Sequence, residues 1–304
     1  MRIGLNGGAS SIDKMIELAQ RAEADGFSSL WYPSAVAGDP VTPMALIGRS
    51  TSSIELGTSV LQTYTAHPLL EANRAAAAAL VMGRPGFTLG LGPSHAPVIE
   101  GMLGMSYARP GQHTEEYISI VAALLRGETV DVSGQELSLH GSQMASPAQP
   151  VQLLVAALGP RLLRVAGSLT DGTILWMANA RSIASHVAPH LRAAAAAAGR
   201  PAPRIVAGLP VTVHDDVTEA REAVARQFAI YGQLPNYQRI LAHGGISGPA
   251  EAAIVGNEAS VADQLQSLFD AGATDVWASI FSFGDDGAAS RRRTRALLQE
   301  LATS

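Results

Sequence analysis

Five hydrogen-bonding side chains, Gln62, Thr63, Tyr64, Thr65 and His67, follow an apolar run marked by Ile54, Leu56, Val60 and Leu61. A plain strand-to-helix turn needs only a few polar residues, so this density marks a place for chemistry. Two glycine-bearing turns add to it. In "ALGPRLL", Gly159 lets backbone approach closely, Pro160 suits a first helical turn, and Arg161 puts a cation at the positive end of a helix. That pattern can bind an anion, and it is also that of an ordinary turn with a surface arginine. "LGLGPSH" supplies Gly92, Ser94 and His95. An imidazole has a suitable intrinsic pKa for proton transfer near neutrality, though a histidine bonded to a loop carbonyl would look the same. Tyr64 and Tyr32 are alternative donors or pocket walls. His186 and His190 stand four apart on an expected helix, but no glutamate accompanies them and no metal site is expected.

Composition narrows the chemistry further. The chain has 304 residues, 47% apolar and only 15% charged, against roughly 25% charged in ordinary soluble domains. Net charge is −5, and the one basic cluster, Arg291, Arg292, Arg293 and Arg295, is expected on a solvated terminal helix, not on nucleic acid. No secretory signal and no apolar stretch of membrane length is read, so a cytoplasmic enzyme without membrane partners is the expectation. The absence of cysteine removes thiol nucleophiles, thiolate-bound zinc and cysteine-held iron–sulfur clusters. Lys14 is the sole lysine and sits in the amphipathic "SSIDKMIELAQRAEADG", which is no place for a Schiff base.

These residues need elements to bring them together. Short strands, mostly apolar on both faces, alternate with helices about eight times, as buried parallel strands do. The simplest architecture is a (β/α)8 TIM barrel over residues 1–304 as one domain. It would carry an insertion after strand 4 (Pro93–Pro110) and a hairpin, "TVDVSGQELSLHG", before strand 5. An open doubly wound sheet is the alternative, and the register from 217 to 271 is left open because helices outnumber strands there. In a barrel, functional groups sit where strands end. Those ends carry Asn6; Trp31, Tyr32 and Ser34; Ser59 to His67; Gly92, Ser94 and His95; Gly159 and Arg161; Trp176 and Met177. The set holds no carboxylate, which argues against a glycosidase, and no G-x-S-x-G frame. Two glycine turns and an aromatic mouth suggest a flat cofactor with an anionic tail.

Four stretches in order, "LGTSVLQTYTAHP", "GFTLGLG", "VAALGPRLLRVAGSLTDGTILWM" and "GGISGPAEAAIVGNEASVADQL", give the chain its family likeness. It resembles the luciferase-like flavin and deazaflavin oxidoreductases, and specifically the actinobacterial branch that uses coenzyme F420. The resemblance implies a barrel with coenzyme F420 at its mouth (FMN being the alternative) and a cis peptide at Ser59-Val60 behind the ring. It implies a phosphate turn at Leu158, Gly159, Pro160 and Arg161, and further contacts from Asn6, Tyr32, Gln62, Gly92, Ser94, His95 and Trp176. The family's alcohol and sugar-phosphate dehydrogenases carry Asp-His where this chain has Pro33-Ser34, and a glutamate where it has His95. The chain is therefore expected to act as a reductase that delivers hydride to a C=N or C=C bond, with His95 or Tyr64 as the proton donor. An FMN-dependent monooxygenase and a non-catalytic flavin-binding homologue are the competing readings. The segments Pro93–Pro110 and Ile230–Gly256 are expected to enclose a small apolar or zwitterionic substrate, and the resemblance implies a homodimer.

Overall fold

The computed structural model describes residues 1–35, 38–141 and 149–304. Eight parallel strands form its centre: β1 (Ile3–Asn6), β2 (Ser29–Tyr32), β3 (Glu55–Thr58), β4 (Phe87–Gly92), β5 (Val151–Val155), β6 (Gly172–Trp176), β7 (Arg204–Val213) and β8 (Asp275–Ile280). Each pairs with its neighbours in the chain, and β8 pairs back onto β1, so the sheet closes into the expected (β/α)8 barrel and not an open sheet. The helices form where the sequence supplies ends for them. Ser11 caps Ile12–Ala24, His67 precedes Pro68–Met82 with proline in its first turn, and Gly83 closes that helix with φ at 68°.

Two cores result. The larger lies between barrel and helices. The smaller fills the barrel interior with Trp31, Leu154, Ile174, Val206 and Trp277. Large indoles fit there because glycines stand opposite them: Trp31 pairs across from Gly57, and Gly208 lies between Trp176 and Trp277. A Cβ on Gly208 would fall 2.1 Å from the Trp277 ring. At the N-terminal end, Arg204 reaches Glu55 (2.9 Å) and Asp275 (2.8 Å), and Arg2 reaches the same two carboxylates.

Between β4 and β5 lie a π-helical turn (Pro97–Met102), the helix Pro110–Leu125 and the antiparallel hairpin Val130–Ser133 with Ser138–Gly141. The region left open, 217–271, resolves into helices at Val217–Gln227, Pro235–His243, Pro249–Ala252 and Glu258–Asp270. A three-residue strand, Ile254–Gly256, extends the far end of β7. Of the terminal arginines, Arg291 and Arg292 are exposed as expected, whereas Arg293 pairs with Asp215 and Glu258, and Arg295 with Asp25, and these two dock the helix Gly287–Thr303. No helix among the described residues is long and apolar enough to cross a membrane.

Candidate active site

The loops at the C-terminal ends of the strands open into one cavity of about 670 Å³. Asn6, at the end of β1, donates from Nδ2 to Ser279 Oγ at 2.9 Å, which leaves its buried Oδ1 without a partner. After β3 the chain bulges through a cis Ser59–Val60 peptide, and Ser59 Oγ is also buried and unpartnered. The bulge sits against glycines of β4: a Cβ on Gly90 would lie 2.1 Å from the Thr58 carbonyl, and one on Gly92 would lie 2.9 Å from both Val60 and Ala156. The glycines of "GFTLGLG" therefore let the bulge lie flat on its neighbour. Across the cavity Trp176 and Trp277 stack at 5.0 Å, and neither indole N–H finds a partner among the described residues. A buried polar group without a partner costs about 1–3 kcal/mol. Four of them at one mouth fit a ligand with a flat face and hydrogen-bonding edges.

Backbone geometry marks the same rim. Ser94 and Met177 hold φ near 61° and 62°, a region that side-chain-bearing residues rarely occupy and that clusters at binding sites. Tyr107 fixes the first by donating its hydroxyl to the Ser94 carbonyl at 2.7 Å. The Gly159 turn leads into the helix Pro160–Leu169, and a Cβ on Gly159 would meet nothing within 4 Å. Backbone N–H groups of that first helical turn have no intrahelical partner and suit an anion. Arg161 is drawn beside the turn by Glu115 at 2.7 Å and by Gln112 of the helix Pro110–Leu125. Arg161 and Arg239 both line the cavity, and among the described residues no carboxylate does. Arg161 is already paired with Glu115, so Arg239 is the lining cation without a carboxylate partner among the described residues.

The structure brings most of the expected residues together. Asn6, Ser59, Val60, Gln62, Gly92 and Ser94 line the cavity, as do His95, Leu158, Gly159, Pro160, Arg161 and Trp176. Two do not. Tyr32 is fully buried, alternates with the inward Trp31, and packs on the outer side of β2 against Gly7, its hydroxyl unpartnered. Tyr64 stacks on His113 at 3.9 Å, with Tyr107 at 5.6 Å, and burial, with Glu136 and Glu100 nearby, pushes its hydroxyl up to about 12. Tyr64 is thus a packed residue that does not face the cavity. His67 braces its own loop by accepting the Leu69 N–H.

Among the candidate donors His95 remains. It lines the cavity 5.7 Å from the Tyr237 ring, and burial pushes its pKa below the ordinary histidine value. The expected segments, 93–110 and 230–256, do wall the cavity, through Val98, Tyr107 and Pro110 on one side and Tyr231, Asn236, Tyr237 and Arg239 on the other. Trp277, Ser279 and Phe228 also line it and were not anticipated. The end of "DVWASIF" was a strand end like the others and would have yielded Ser279. Phe228 had no such signal. Among the described residues no group of three or more histidines and carboxylates is placed to hold a metal.

Known proteins are similar to this chain. The chain is 30% identical over 163 residues to the 5,10-methylenetetrahydromethanopterin reductase of Methanolobus tindarius, a match covering 53% of this chain and 49%, about half, of that protein. It is 31% identical over 286 residues to the F420-dependent hydroxymycolic acid dehydrogenase of Mycobacterium tuberculosis, covering 86% of this chain and 77% of that one. Among solved structures, the monooxygenase RslO1 of Streptomyces bottropensis shares the fold, with a TM-score of 0.76 at 20% identity over 99% of this chain and 98% of that one. The family model for luciferase-like monooxygenases matches residues 2–275, and with the barrel, the bulge and the mouth in place, the chain belongs to that family.

Proposed function

We propose that the protein is a coenzyme F420-dependent oxidoreductase, acting as an F420H2-dependent reductase on a C=N or C=C bond of a small organic substrate. One observation carries the reading: four residues that each hold an unpartnered buried polar atom, Asn6, Ser59, Trp176 and Trp277, line a cavity that also holds a helix-start turn with Arg161. That is what a flat ring with an anionic tail needs. The F420-dependent dehydrogenase that matches most of the chain supports the choice of coenzyme, and the reductase matching half of it supports the direction.

In this reading the Ser59–Val60 bulge backs the ring, and Asn6 and Ser59 are placed to bond its edge. Gly159, Pro160 and Arg161 hold the phosphate. The bound coenzyme in its reduced form supplies a hydride. His95 supplies the proton from a protonated imidazole, the role that a carboxylate-free mouth leaves to it. Trp176, Phe228, Tyr231 and Tyr237 wall off water beside it. Arg239 has no carboxylate partner among the described residues and suits the anionic end of a zwitterionic substrate. The functional unit is a homodimer in this proposal, supported by exposed Leu46, Leu70, Leu80 and Val81 on the adjacent helices Val41–Arg49 and Pro68–Met82.

The test supplies reduced F420 with a panel of imines and activated alkenes, and follows the oxidised deazaflavin absorbance as it returns. Turnover of at least one acceptor class is expected. Oxygen-dependent turnover with reduced FMN, and none with F420, would replace this reading with a monooxygenase. Tight binding without turnover of any acceptor would replace it with a non-catalytic binder.

A further inference from the structure

His186 belongs to no part of the site described so far, yet its ring touches the turn that anchors it. The helical run after β6 is interrupted by a π-turn, Ile183–Val187, in which the Ala188 N–H reaches back to the Ile183 carbonyl just ahead of Pro189. Such single π-turns re-aim side chains and recur at functional sites. Here the turn carries His186 into the protein, where it is 4% exposed. Its Nε2 lies 2.9 Å from the Leu158 carbonyl, the residue directly before Gly159. A carbonyl only accepts, so Nε2 carries the proton and donates. On its other side the ring stacks on His243 at 3.9 Å, nearly parallel, and the His190 ring lies 4.8 Å away. His190 in turn donates from Nδ1 to the His186 carbonyl at 2.7 Å. Among the described residues no group of three or more histidines and carboxylates is placed to hold a metal, and these rings act as a brace.

His243 ends the helix Pro235–His243, whose other residues, Asn236, Tyr237 and Arg239, wall the cavity. One buried ring therefore touches both the Leu158–Arg161 turn and the helix on the opposite wall. Asn179 reinforces the second contact by donating from Nδ2 to the Gly244 carbonyl at 3.1 Å.

We propose that His186 is a positioning residue for cofactor binding: its N–H fixes the Leu158 carbonyl, and through it the phosphate-holding turn at Gly159. The inference rests on the reading that a phosphate-bearing cofactor docks at this turn. It holds equally for F420 and for FMN, since the chemistry it serves is the phosphate.

The test measures dissociation constants of F420 and of FMN by fluorescence titration for the wild type, His186→Phe and His186→Gln, with thermal unfolding recorded for each. Phenylalanine keeps the stack on His243 and removes the donor, whereas glutamine restores an N–H at similar reach. We expect His186→Phe to weaken the bound cofactor about tenfold, as when only about a tenth of the folded chain keeps the turn in its binding geometry, and His186→Gln to recover most of that. We expect kcat at saturating cofactor to stay within about twofold. Wild-type affinity in a folded His186→Phe would overturn the inference alone. Equal losses in both variants would assign the effect to packing and also overturn it. Failure of the wild type to bind either cofactor would overturn the cofactor reading and this inference with it.

Discussion

His95 meets the cavity with a ring that burial keeps less basic than usual. The direction of that shift gives a test of its role. A general acid must be protonated to act, and a folded pKa below the ordinary 6.5 means that the charged form is scarce at neutral pH. If His95 donates the proton, kcat/KM for the acceptor falls as pH rises through a value below the ordinary histidine range and has its plateau on the acid side. His95→Gln should flatten that profile and lower the acid-side kcat/KM about a hundredfold, while cofactor affinity changes little. A profile that keeps its shape in the variant would remove His95 from the chemistry. Tyr64→Phe serves as the contrast. Its ring rests on His113 and packs beside Tyr107, away from the cavity lining, so the rate should stay within about twofold of wild type. A large loss would mean that Tyr64 reaches the cavity during turnover.

The strands and helices decide which of these residues share a space. β7 contributes Gly208, which faces Trp176 on β6 and Trp277 on β8 at once. Gly208→Ala would drive a methyl group into the Trp277 indole. Such overpacking costs about 1–3 kcal/mol. The expected result is a lower unfolding midpoint with altered tryptophan fluorescence and weaker cofactor binding; a silent substitution would show that the stack is not fixed by its glycine. The same elements explain what could be read beforehand. Barrel strands were legible as short apolar runs between turn residues, and the mouth as the polar residues after them. Which way Tyr32 points was not. All four residues of β2 are buried, so no polar-apolar alternation distinguishes the inward Trp31 from the outward Tyr32. Ile254–Gly256 is too short to stand out from the helices around it. Phe228, Tyr231 and Tyr237 become a wall only through a fold-back that no local pattern encodes. The aromatic contacts of His186 likewise join residues 57 positions apart in sequence, His186 and His243.

The whole barrel has two unlike ends, a closed one that holds the strands together and an open one that is free to bind. At the mouth, polar atoms wait unpartnered; at the floor, the first residues of several strands satisfy each other. Arg204 opens β7 and bonds Glu55 of β3, Asp275 of β8 and Gln152 of β5, while Thr88 of β4 donates to Glu55 at 2.6 Å. Asp275 has only 2% of its side chain exposed. Burial alone would raise its pKa, but the Arg204 charge and the bonds from Arg204 and Thr274 outweigh it, and the carboxyl sits below its usual range. A carboxyl lowered in the fold adds stability that is present above its unfolded value near 3.9 and is lost as pH falls through the folded one. Arg204→Met keeps the apolar stem and removes the charge, which leaves two buried carboxylates to the half-exposed Arg2 alone. Breaking such a pair costs about 3–5 kcal/mol. The variant should therefore unfold at markedly lower urea at pH 7, with the deficit narrowing as the pH is brought down toward 4 and Asp275 takes up a proton. Below the midpoint its cofactor affinity should match wild type, because the floor and the mouth lie at opposite ends of the strands. Unchanged urea stability at pH 7 would mean that the floor's ion pairs are compensated by solvent; weakened cofactor binding in the folded variant would mean that the two ends are not independent.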